Sequence, residues 1–589
     1  MAGTASVARV FSSFVQTEES VIFLPVSERN RQFRLPDHIC RGFLDRAALQ
    51  PEAAALKAHG GQGEIITYAQ AARAMLQLSG SLNRLLPDAG CRVGILSENR
   101  PEWPLAYLGI LAAGKTVVPI DAALKIDEIT RIVTDSELKL LFVSPRFEAA
   151  VAERLPQATL YSFDTNSGRS WKALLGDEGN LVLCLENEVA ALIYTSGTTG
   201  SPKVVMLTHG NLLANYAGVS DALQFDSRDV FLSVLPLHHT YEAMCGFLTP
   251  LLAGATIVYA RSLKSTELLE DIGSNRVTVM CGVPLLFEKM AHAIQRGIER
   301  ASSAQRLIIN LFLRLSGLGW GMGFKWGRQL FGSVRSKAGL SSIRMLVSGG
   351  APLPPSIARF YNYLGIDFLQ GYGMTECSPV ISTNRPDNIR FGSVGPPLAN
   401  LDVRIHEPDA DGIGEIIVRG KSITPGYWNN PGKTAELVRD NWLFTGDIGR
   451  LNRGHLWITG RRKLVIVSAA GKNIYPEELE EKLLESPYVL ESVVYGRRKE
   501  NKQGEEVCAV VVPDVDQIRS RFNLGGDASP DMDQVRKVIG AEIDSVNARV
   551  AEFKRIGRFD IRLHELEKTS AKKVKRHLYV QTGNENQIN

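Results

Sequence analysis

Between residues 90 and 260 the chain alternates short, nearly uninterrupted apolar runs with helical patterns, and this alternation constrains the fold more than any other feature. CRVGILS, KTVVPID, LKLLFVS, VAALIYT, VFLSVLP and ATIVYA read as buried strands, and residues 103–113, 127–135 and 210–223 between them read as helices. A strand with apolar side chains on both faces must be covered on both faces, so the class is α/β, a parallel sheet flanked by helices. The rhythm resumes with IRMLVSGG at 343–350 and IDFLQGYG at 366–373. From 390 to 460 short strands and Gly-rich turns, such as DVRIHEPDADGIGEIIVRG, predict a small β-subdomain. Beyond about 460 a last segment carries the helix PEELEEKLLES and a strand pair around YGRRKENKQGEEVCAVVV. Pro476 at the first helical position, with Glu477 and Glu478 behind it, suits a helix start. The expected organisation is therefore a large N-terminal domain over 1–459, with parallel-rich sheets covered by helices, and a small α+β domain over 460–589. No internal repeat is visible, and 584–589 reads as a frayed polar tail.

Composition excludes several function classes. A length of 589 residues allows three or four compact units at about 150 residues each. With 67 Lys+Arg against 63 Asp+Glu the charge is nearly balanced, which argues against a nucleic-acid partner. Seven Cys without a C-x-x-C pair give neither a disulfide framework nor a zinc spacing and point to a reducing compartment. The amino-terminal twenty residues lack the continuous apolar core of a secretory signal, although Arg9, several Ser and the absence of acids before Glu18 have a transit-peptide flavour. No run of 18 charge-free apolar residues exists, so a conventional membrane span is not expected.

Residues 289–337 stand apart. They hold nine Lys/Arg and one acid, Glu299, a net charge of +8 against +4 for the whole chain. In their middle lies LIINLFLRLSGLGWGMGF. Basic residues flanking an apolar, aromatic stretch suit an anionic bilayer surface. They equally suit a helical arm packed on the large domain with solvated charges.

The strongest chemical signal is Tyr194-Thr-Ser-Gly-Thr-Thr-Gly-Ser-Pro-Lys203, directly after the apolar strand VAALI. Glycines and hydroxyls after a strand make a loop whose backbone N–H groups and hydroxyls can wrap a polyphosphate, and Lys203 adds a mobile positive charge. The G-x-x-x-x-G-K-[ST] spacing of a Walker A loop is absent.

With this loop, seven further strings occur in order: LPLHHTYE at 235–242, VSGGAPLP at 347–354, QGYGMTE at 370–376, FTGD at 444–447, GRRK at 460–463, GKNIYPEELE at 471–480 and KTSAKKVKR at 568–576. Over roughly 90–580 the chain thus resembles the adenylate-forming superfamily of acyl-CoA synthetases, adenylation domains and luciferases. The resemblance implies a two-step reaction. A carboxylate attacks the α-phosphate of ATP, giving an acyl-adenylate and pyrophosphate, and a thiol then takes the acyl group. Catalysis would be mostly positioning and charge neutralisation on phosphate oxygens.

By the same resemblance, Thr195, Ser196, Gly197, Thr198, Thr199, Gly200 and Lys203 would hold the β- and γ-phosphates. Thr195 and Glu376 would organise Mg2+, a hard ion suited to oxygen donors. Gly350, Ala351, Pro352, Gln370, Gly371 and Tyr372 match the adenine wall, and Thr375 the contact to the α-phosphate. Asp447 would accept the ribose hydroxyls with Arg461 beside it, and Lys463 lies at the hinge. Lys573 matches the lysine that bridges carboxylate and phosphate during adenylation, with Lys572 as second choice. His239 matches the aromatic beside the acyl carboxylate, with His238 as its rival. Three departures stand out: Val204 where glycine is usual, Leu464 where the hinge is commonly acidic, and Lys572 where glycine commonly precedes the lysine.

The basic insertion and NRPEWPLAYLGILAAG at 99–114 are most similar to long-chain fatty acyl-CoA synthetases. That branch implies a fatty acid, ATP and coenzyme A as partners, and a cytoplasmic enzyme with 289–337 as its contact to the inner face of a membrane. Homo-oligomers, a homodimer among them, stay open. So do three alternatives: a fatty acyl-AMP ligase serving a carrier protein, a ligase for aryl or other bulky carboxylates, and a membrane-peripheral fatty-acid-binding protein with a vestigial site.

Overall fold

A computed structural model describes residues 36–58, 61, 63–176, 179–195, 203–468, 472–498, 504–522, 530–568 and 574–579. The amino-terminal stretch weighed as a signal or transit peptide and the polar tail 584–589 lie outside them. The expected strands all form, and the α/β rhythm divides between two sheets. In chain order the strands of these two sheets are β1 (Ala54–Lys57), β2 (Ile65–Thr67), β3 (Arg92–Leu96), β4 (Thr116–Ile120), β5 (Leu140–Val143), β6 (Thr159–Ser162), β7 (Val189–Thr195), β8 (Lys203–Thr208), β9 (Val230–Ser233), β10 (Thr256–Tyr259), β11 (Val279–Gly282), β12 (Met345–Ser348), β13 (Asp367–Gly373) and β14 (Val380–Thr383). One sheet runs β6-β5-β3-β4-β7-β8, parallel except for the terminal hairpin β7–β8. The other runs β14-β13-β12-β11-β9-β10-β1-β2, parallel except at its two edges. Apolar runs announce buried strands but carry no mark of which sheet each one joins.

The helix Glu102–Ala112 shows why the sheets come together. Every residue from Trp103 to Ala112 is buried, and a helix apolar on all sides must be covered on all sides. It packs in one continuous core with Val93 and Val117 of the first sheet and Phe231, Ile257 and Val279 of the second. Trp103 and Tyr107 both meet the ring of Phe247 edge-on, at centroid distances of 5.9 and 5.3 Å. The flanking helices start where the sequence supplies caps. Thr67 with Gln70 and Thr208 with Asn211 form reciprocal capping boxes for Tyr68–Leu85 and His209–Leu223.

The segment from 390 to 460 forms the expected β-rich unit, a five-stranded antiparallel sheet. Its strands are β15 (Leu401–His406), β16 (Gly414–Gly420), β17 (Val438–Arg439), β18 (Trp442–Asn452) and β19 (His455–Arg461). A single 3-10 turn, Arg462–Leu464, leads on to the short pair β20 (Ile466–Val467) and β21 (Asn473–Ile474). The helix Pro476–Leu484 follows. The last sheet pairs β22 (Val489–Arg498) antiparallel to β23 (Glu505–Pro513), with β24 (Arg558–Ile561) parallel to β23. The third strand of that sheet was not anticipated, because RFDI alternates polar and apolar residues too briefly to declare itself.

A buried acid ties the lower edge of the second sheet. Asp229, just before β9, accepts from Thr278 Oγ1 at 2.8 Å and from Arg344 Nε and Nη2 at 2.7 and 2.6 Å. Thr278 precedes β11 and Arg344 precedes β12, so one carboxylate fixes the register of three neighbouring strands. Asp229→Ala strands a guanidinium and a hydroxyl beside the core and is expected to cost about 2–4 kcal/mol. The check is urea unfolding, with a lowered midpoint at unchanged slope and partial recovery in Asp229→Asn.

Candidate functional site

The site is assembled where the β7–β8 hairpin of one sheet meets the carboxyl ends of the other, the usual place for ligands in open α/β sheets. Thr195 and Lys203 face each other across the hairpin, and the Thr195 hydroxyl donates to the Lys203 carbonyl at 3.1 Å. The loop residues Ser196, Gly197, Thr198, Thr199 and Gly200 between them lie outside the described residues. On the outer edge of β8 runs a third stretch of backbone, residues 424–428. Met206 N–H donates to the Gly426 carbonyl at 3.1 Å, and Trp428 N–H donates to the Val204 carbonyl at 2.8 Å. The departure at Val204 is thus harmless here: its side chain is buried and its backbone sits in a regular ladder.

This edge segment also reaches Glu376, because Thr424 N–H donates to the Glu376 carbonyl at 2.9 Å. It carries Tyr427 into the site. The Tyr427 hydroxyl donates to Glu376 Oε1 at 2.7 Å and accepts from Lys203 Nζ at 3.3 Å, while the ammonium lies 4.8 Å from the ring centroid. Cation, phenol and carboxylate form one chain. Burial lowers the Lys203 pKa, and neighbouring Lys463 and Lys433 add to that against the pull of Glu376. Tyr427 was missed by sequence reasoning. Its only trace is an aromatic pair in TPGYWNN, which reads as an ordinary turn.

Mg2+ fits these donors. The Thr195 hydroxyl spends its proton on a carbonyl and keeps its lone pairs, and among the described residues Glu376 Oε2 accepts no hydrogen bond. Magnesium commonly takes one or two protein oxygens and completes its shell with water and phosphate.

A second cluster lies along β12 and β13. Gly350, Ala351 and Pro352 are exposed just past the end of β12, and Gly350 has φ +84°, a conformation that side chains resist. Gln370 pairs with Ser348, so Gln370, Gly371 and Tyr372 stand beside that shelf. The Tyr372 hydroxyl donates to Asp447 Oδ2 at 2.6 Å, and Arg461 Nε lies 3.3 Å from Asp447 Oδ1. Asp447 and Arg461 are cross-strand partners on β18 and β19, which explains why two residues from separate motifs meet. Burial, then Asp447, drives the Tyr372 pKa far upward and keeps the phenol a donor.

The LPLHHTYE string closes the site from below. Asn99 accepts from Leu237 N–H at 3.0 Å and donates to the Leu235 carbonyl at 2.6 Å, so the NRPEW motif holds this turn in place. Thr240 Oγ1 lies 3.4 Å from Thr375 Oγ1, bringing Thr375 against the turn. The two histidine rings lie 4.1 Å apart. His238 is buried with Nε2 3.5 Å from Asp121 Oδ2, whereas His239 is only half-buried.

Lys463 is exposed within the turn Arg462–Leu464, and Arg462 is anchored to the buried Glu415 at 2.7 Å. Lys573 and Lys572 lie outside the described residues. The residues on either side of them are tied down: Lys568 bridges Val574 and pairs with Glu491, and Arg576 pairs with Glu480. Neither pair was foreseen, since KTSAKKVKR reads as a solvated basic run.

The model of the AMP-binding enzyme family matches residues 43–428, and that of the AMP-binding enzyme C-terminal domain matches 478–573. A feruloyl-CoA synthase of Amycolatopsis sp is 31% identical over 484 residues, 80% of this chain and 87% of the relative. Fatty acyl-CoA synthetase A of Dictyostelium discoideum is 28% identical over 514 residues, 79% of this chain and 75% of the relative. In fold the chain is similar to the crystal structure of ATP-bound MatB from Rhodopseudomonas palustris, with a TM-score of 0.75 at 24% identity over 92% of this chain and 98% of that one. The shared fold comprises a large N-terminal and a smaller C-terminal domain.

Glu242 ends the LPLHHTYE string inside the core at 1% exposure. Its Oε1 accepts from Ser233 Oγ at 2.6 Å, and its Oε2 is buried without a partner. Burial pushes its carboxyl up to about 8. The folded chain therefore keeps a proton that the unfolded chain releases above about 4.5, so the stability linked to Glu242 is full below 4.5 and is lost as pH rises through about 8. Glu242→Gln, which stays neutral, is expected to flatten this dependence and to melt higher than the parent at the alkaline end. Thermal melts across that pH range check it, and parallel curves for the two chains would count against an uncharged Glu242.

Proposed function

The chain belongs to the AMP-binding enzyme family, and on that premise we propose that it is an AMP-forming acid–thiol ligase that activates a fatty acid with ATP and transfers it to coenzyme A. The observation that carries the proposal is the Lys203–Tyr427–Glu376 chain at the base of the 195–203 hairpin. It sets a cation for polyphosphate beside a carboxylate for a metal and fixes both through one phenol.

In the first step a carboxylate oxygen of the acid bonds to the α-phosphorus, and the bond from that phosphorus to the pyrophosphate oxygen breaks. Lys203 and the loop Thr195–Gly200 hold the departing β- and γ-phosphates. Thr195 and Glu376 hold Mg2+, which neutralises phosphate charge when bound. Adenine lies along Gly350–Pro352 and Gln370–Tyr372, and Thr375 touches the α-phosphate. Asp447 already receives Tyr372 and Arg461, one on each oxygen. A carboxylate offers about four lone-pair directions, so two remain for the ribose hydroxyls. Lys573 bridges the acid and the α-phosphate, and His239 lines the entry of the carboxylate. In the second step the thiol sulfur bonds to the acyl carbon and AMP leaves.

The small domain begins near Gly460 and turns about Lys463–Leu464 between the steps. The Arg462–Glu415 ion pair holds the last residue before the pivot to the β-unit, so the turn needs no acid at 464. A long acyl chain is favoured by the likeness of the basic insertion to long-chain synthetases. An aryl acid is the second reading, favoured by the identity to a feruloyl-CoA synthase.

Mass spectrometry of products from ATP, Mg2+ and mixed aliphatic and aryl acids, with and without coenzyme A, tests the proposal. Acyl-CoA formed from long aliphatic acids is the expected result. Acyl-AMP accumulating despite coenzyme A would move the acceptor to a carrier protein, and ATP bound without pyrophosphate release would favour a vestigial site. Lys573→Ala is expected to lower adenylate formation by roughly 10²–10³-fold. It should spare thioester formation from supplied acyl-adenylate, and equal activity in both half-reactions would refute the assignment of Lys573. Tyr427→Phe removes the link between Lys203 and Glu376 and is expected to raise the KM for ATP while the chain stays folded.

A further inference from the structure

The helix Ser303–Gly321 carries large apolar residues on both its sides. Its protein-facing side is already occupied: Phe312 meets the buried Phe331 edge-on at 6.3 Å, Trp320 packs on Phe391 at 5.5 Å, Ser316 Oγ donates to the Tyr363 carbonyl at 2.8 Å, and Gly319 lies so close to Trp326 that a Cβ would sit 2.7 Å from the indole. Its solvent side carries a second set of large apolar residues. Leu307, Ile308, Leu311, Leu315 and Leu318 are 72%, 50%, 53%, 37% and 64% exposed, and Met322 continues the row at 61%. At about 100° per residue these six positions fall within little more than a quarter-turn of one another, a continuous stripe roughly 22 Å long. A helix docked only to its own protein has polar residues in place of such an outer row. This one is capped in the ordinary way, by Ser302 and Gln305, so its register is no accident of a frayed end.

The charges around the stripe say what it faces. Arg306 and Arg314 lie along one edge of the helix, and Arg296, Arg300 and Arg328 lie at its two ends. All five are exposed and form no ion pair among the described residues. Lys325, by contrast, is tied to Asp367 at 2.6 Å. Past the helix, Phe324 and Trp326 are exposed and stacked at 5.7 Å, aromatic groups of the kind that settle at a membrane–water boundary.

We propose that the outer face of Ser303–Gly321, with Phe324 and Trp326, seats on the surface of an anionic phospholipid bilayer. The leucine stripe enters the boundary between headgroups and acyl chains, and the arginines meet lipid phosphates and carboxylates. The helix lies on the bilayer and does not span it, since no helix among the described residues is long and apolar enough to cross one. A second copy of the chain is the poorer occupant. Two-fold pairing through this face would oppose two segments that each carry +8. Residues 1–34, with four Arg against three Glu, offer no acidic complement either. The inference rests on this helix and not on which acid is activated, so it stands or falls apart from the ligase reading.

The test is flotation of the full chain with phosphatidylcholine vesicles, with and without roughly a third phosphatidylserine. Binding is expected to the anionic vesicles and to weaken as salt rises from about 0.1 to about 0.5 M. Leu307→Glu, Leu311→Glu and Leu318→Glu combined should lower binding at least about tenfold. Arg306→Gln with Arg314→Gln should lower it about fivefold per charge. Circular dichroism and the thermal midpoint should be unchanged in both variants. Failure of the parent to float, or equal flotation of the leucine variant, overturns the proposal. So does a dimer in light scattering that the leucine variant splits while neither chain floats, which would assign the face to a second copy.

Discussion

The site depends on one run of backbone hydrogen bonds, those that lay residues 424–428 along the edge of β8 and on to Glu376. The polyphosphate-type loop belongs to one sheet and Glu376 to the end of the other. Neither sheet dictates where the other's residues stand. The edge segment supplies the missing link with three peptide groups and one phenol. Backbone bonds suit this role because their geometry leaves little freedom, whereas exposed side-chain pairs contribute little rigidity. An edge strand so covered is also closed to pairing with another chain.

The electrostatics follow from that link. Lys203 sits among Lys433 and Lys463 and partly out of water, so its charge is costly until a polyanion or Glu376 answers it. On the proposed reading this cation, positioned before any ligand arrives, is the kind of preorganised charge that serves phosphoryl chemistry. At Asp447, too, Tyr372 and Arg461 each engage one oxygen and so fix the plane of the carboxylate.

The helix Ser303–Gly321 obeys a different rule from the rest of the chain. Elsewhere, apolar stripes point inward, as in Tyr68–Leu85, whose buried residues include Ala71, Met75, Leu78 and Leu82. In the insertion, Phe312, Ser316, Gly319 and Trp320 make the intramolecular contact and a row of leucines is left outside. The composition of the segment is the same whichever way the helix is rolled. Its orientation therefore could not come from counting residues.

That contrast marks the limit of the sequence. Buried strands such as VAALIYT and LKLLFVS were legible because a long apolar run in a chain of this charge has few other uses, and the Gly- and Ser-rich loop because its residue types are rarely needed together. The order of the motifs was enough to state the family and to number Thr195, Lys203, Glu376, Asp447 and Lys573 as candidates. Tyr427 was not legible, since nothing local separates a phenol that holds a carboxylate from one that fills a turn. The assignment of each strand to its sheet, Asn99 beneath the LPLHHTYE turn, the buried Glu242 and the outward leucines were equally hidden. Each depends on contacts between residues tens to hundreds of positions apart, or on burial, and local propensity carries no information about either. The sequence by itself determined which elements form and which chemical groups are on hand; the tertiary structure alone decided which groups meet, because proximity is a property of the packed chain.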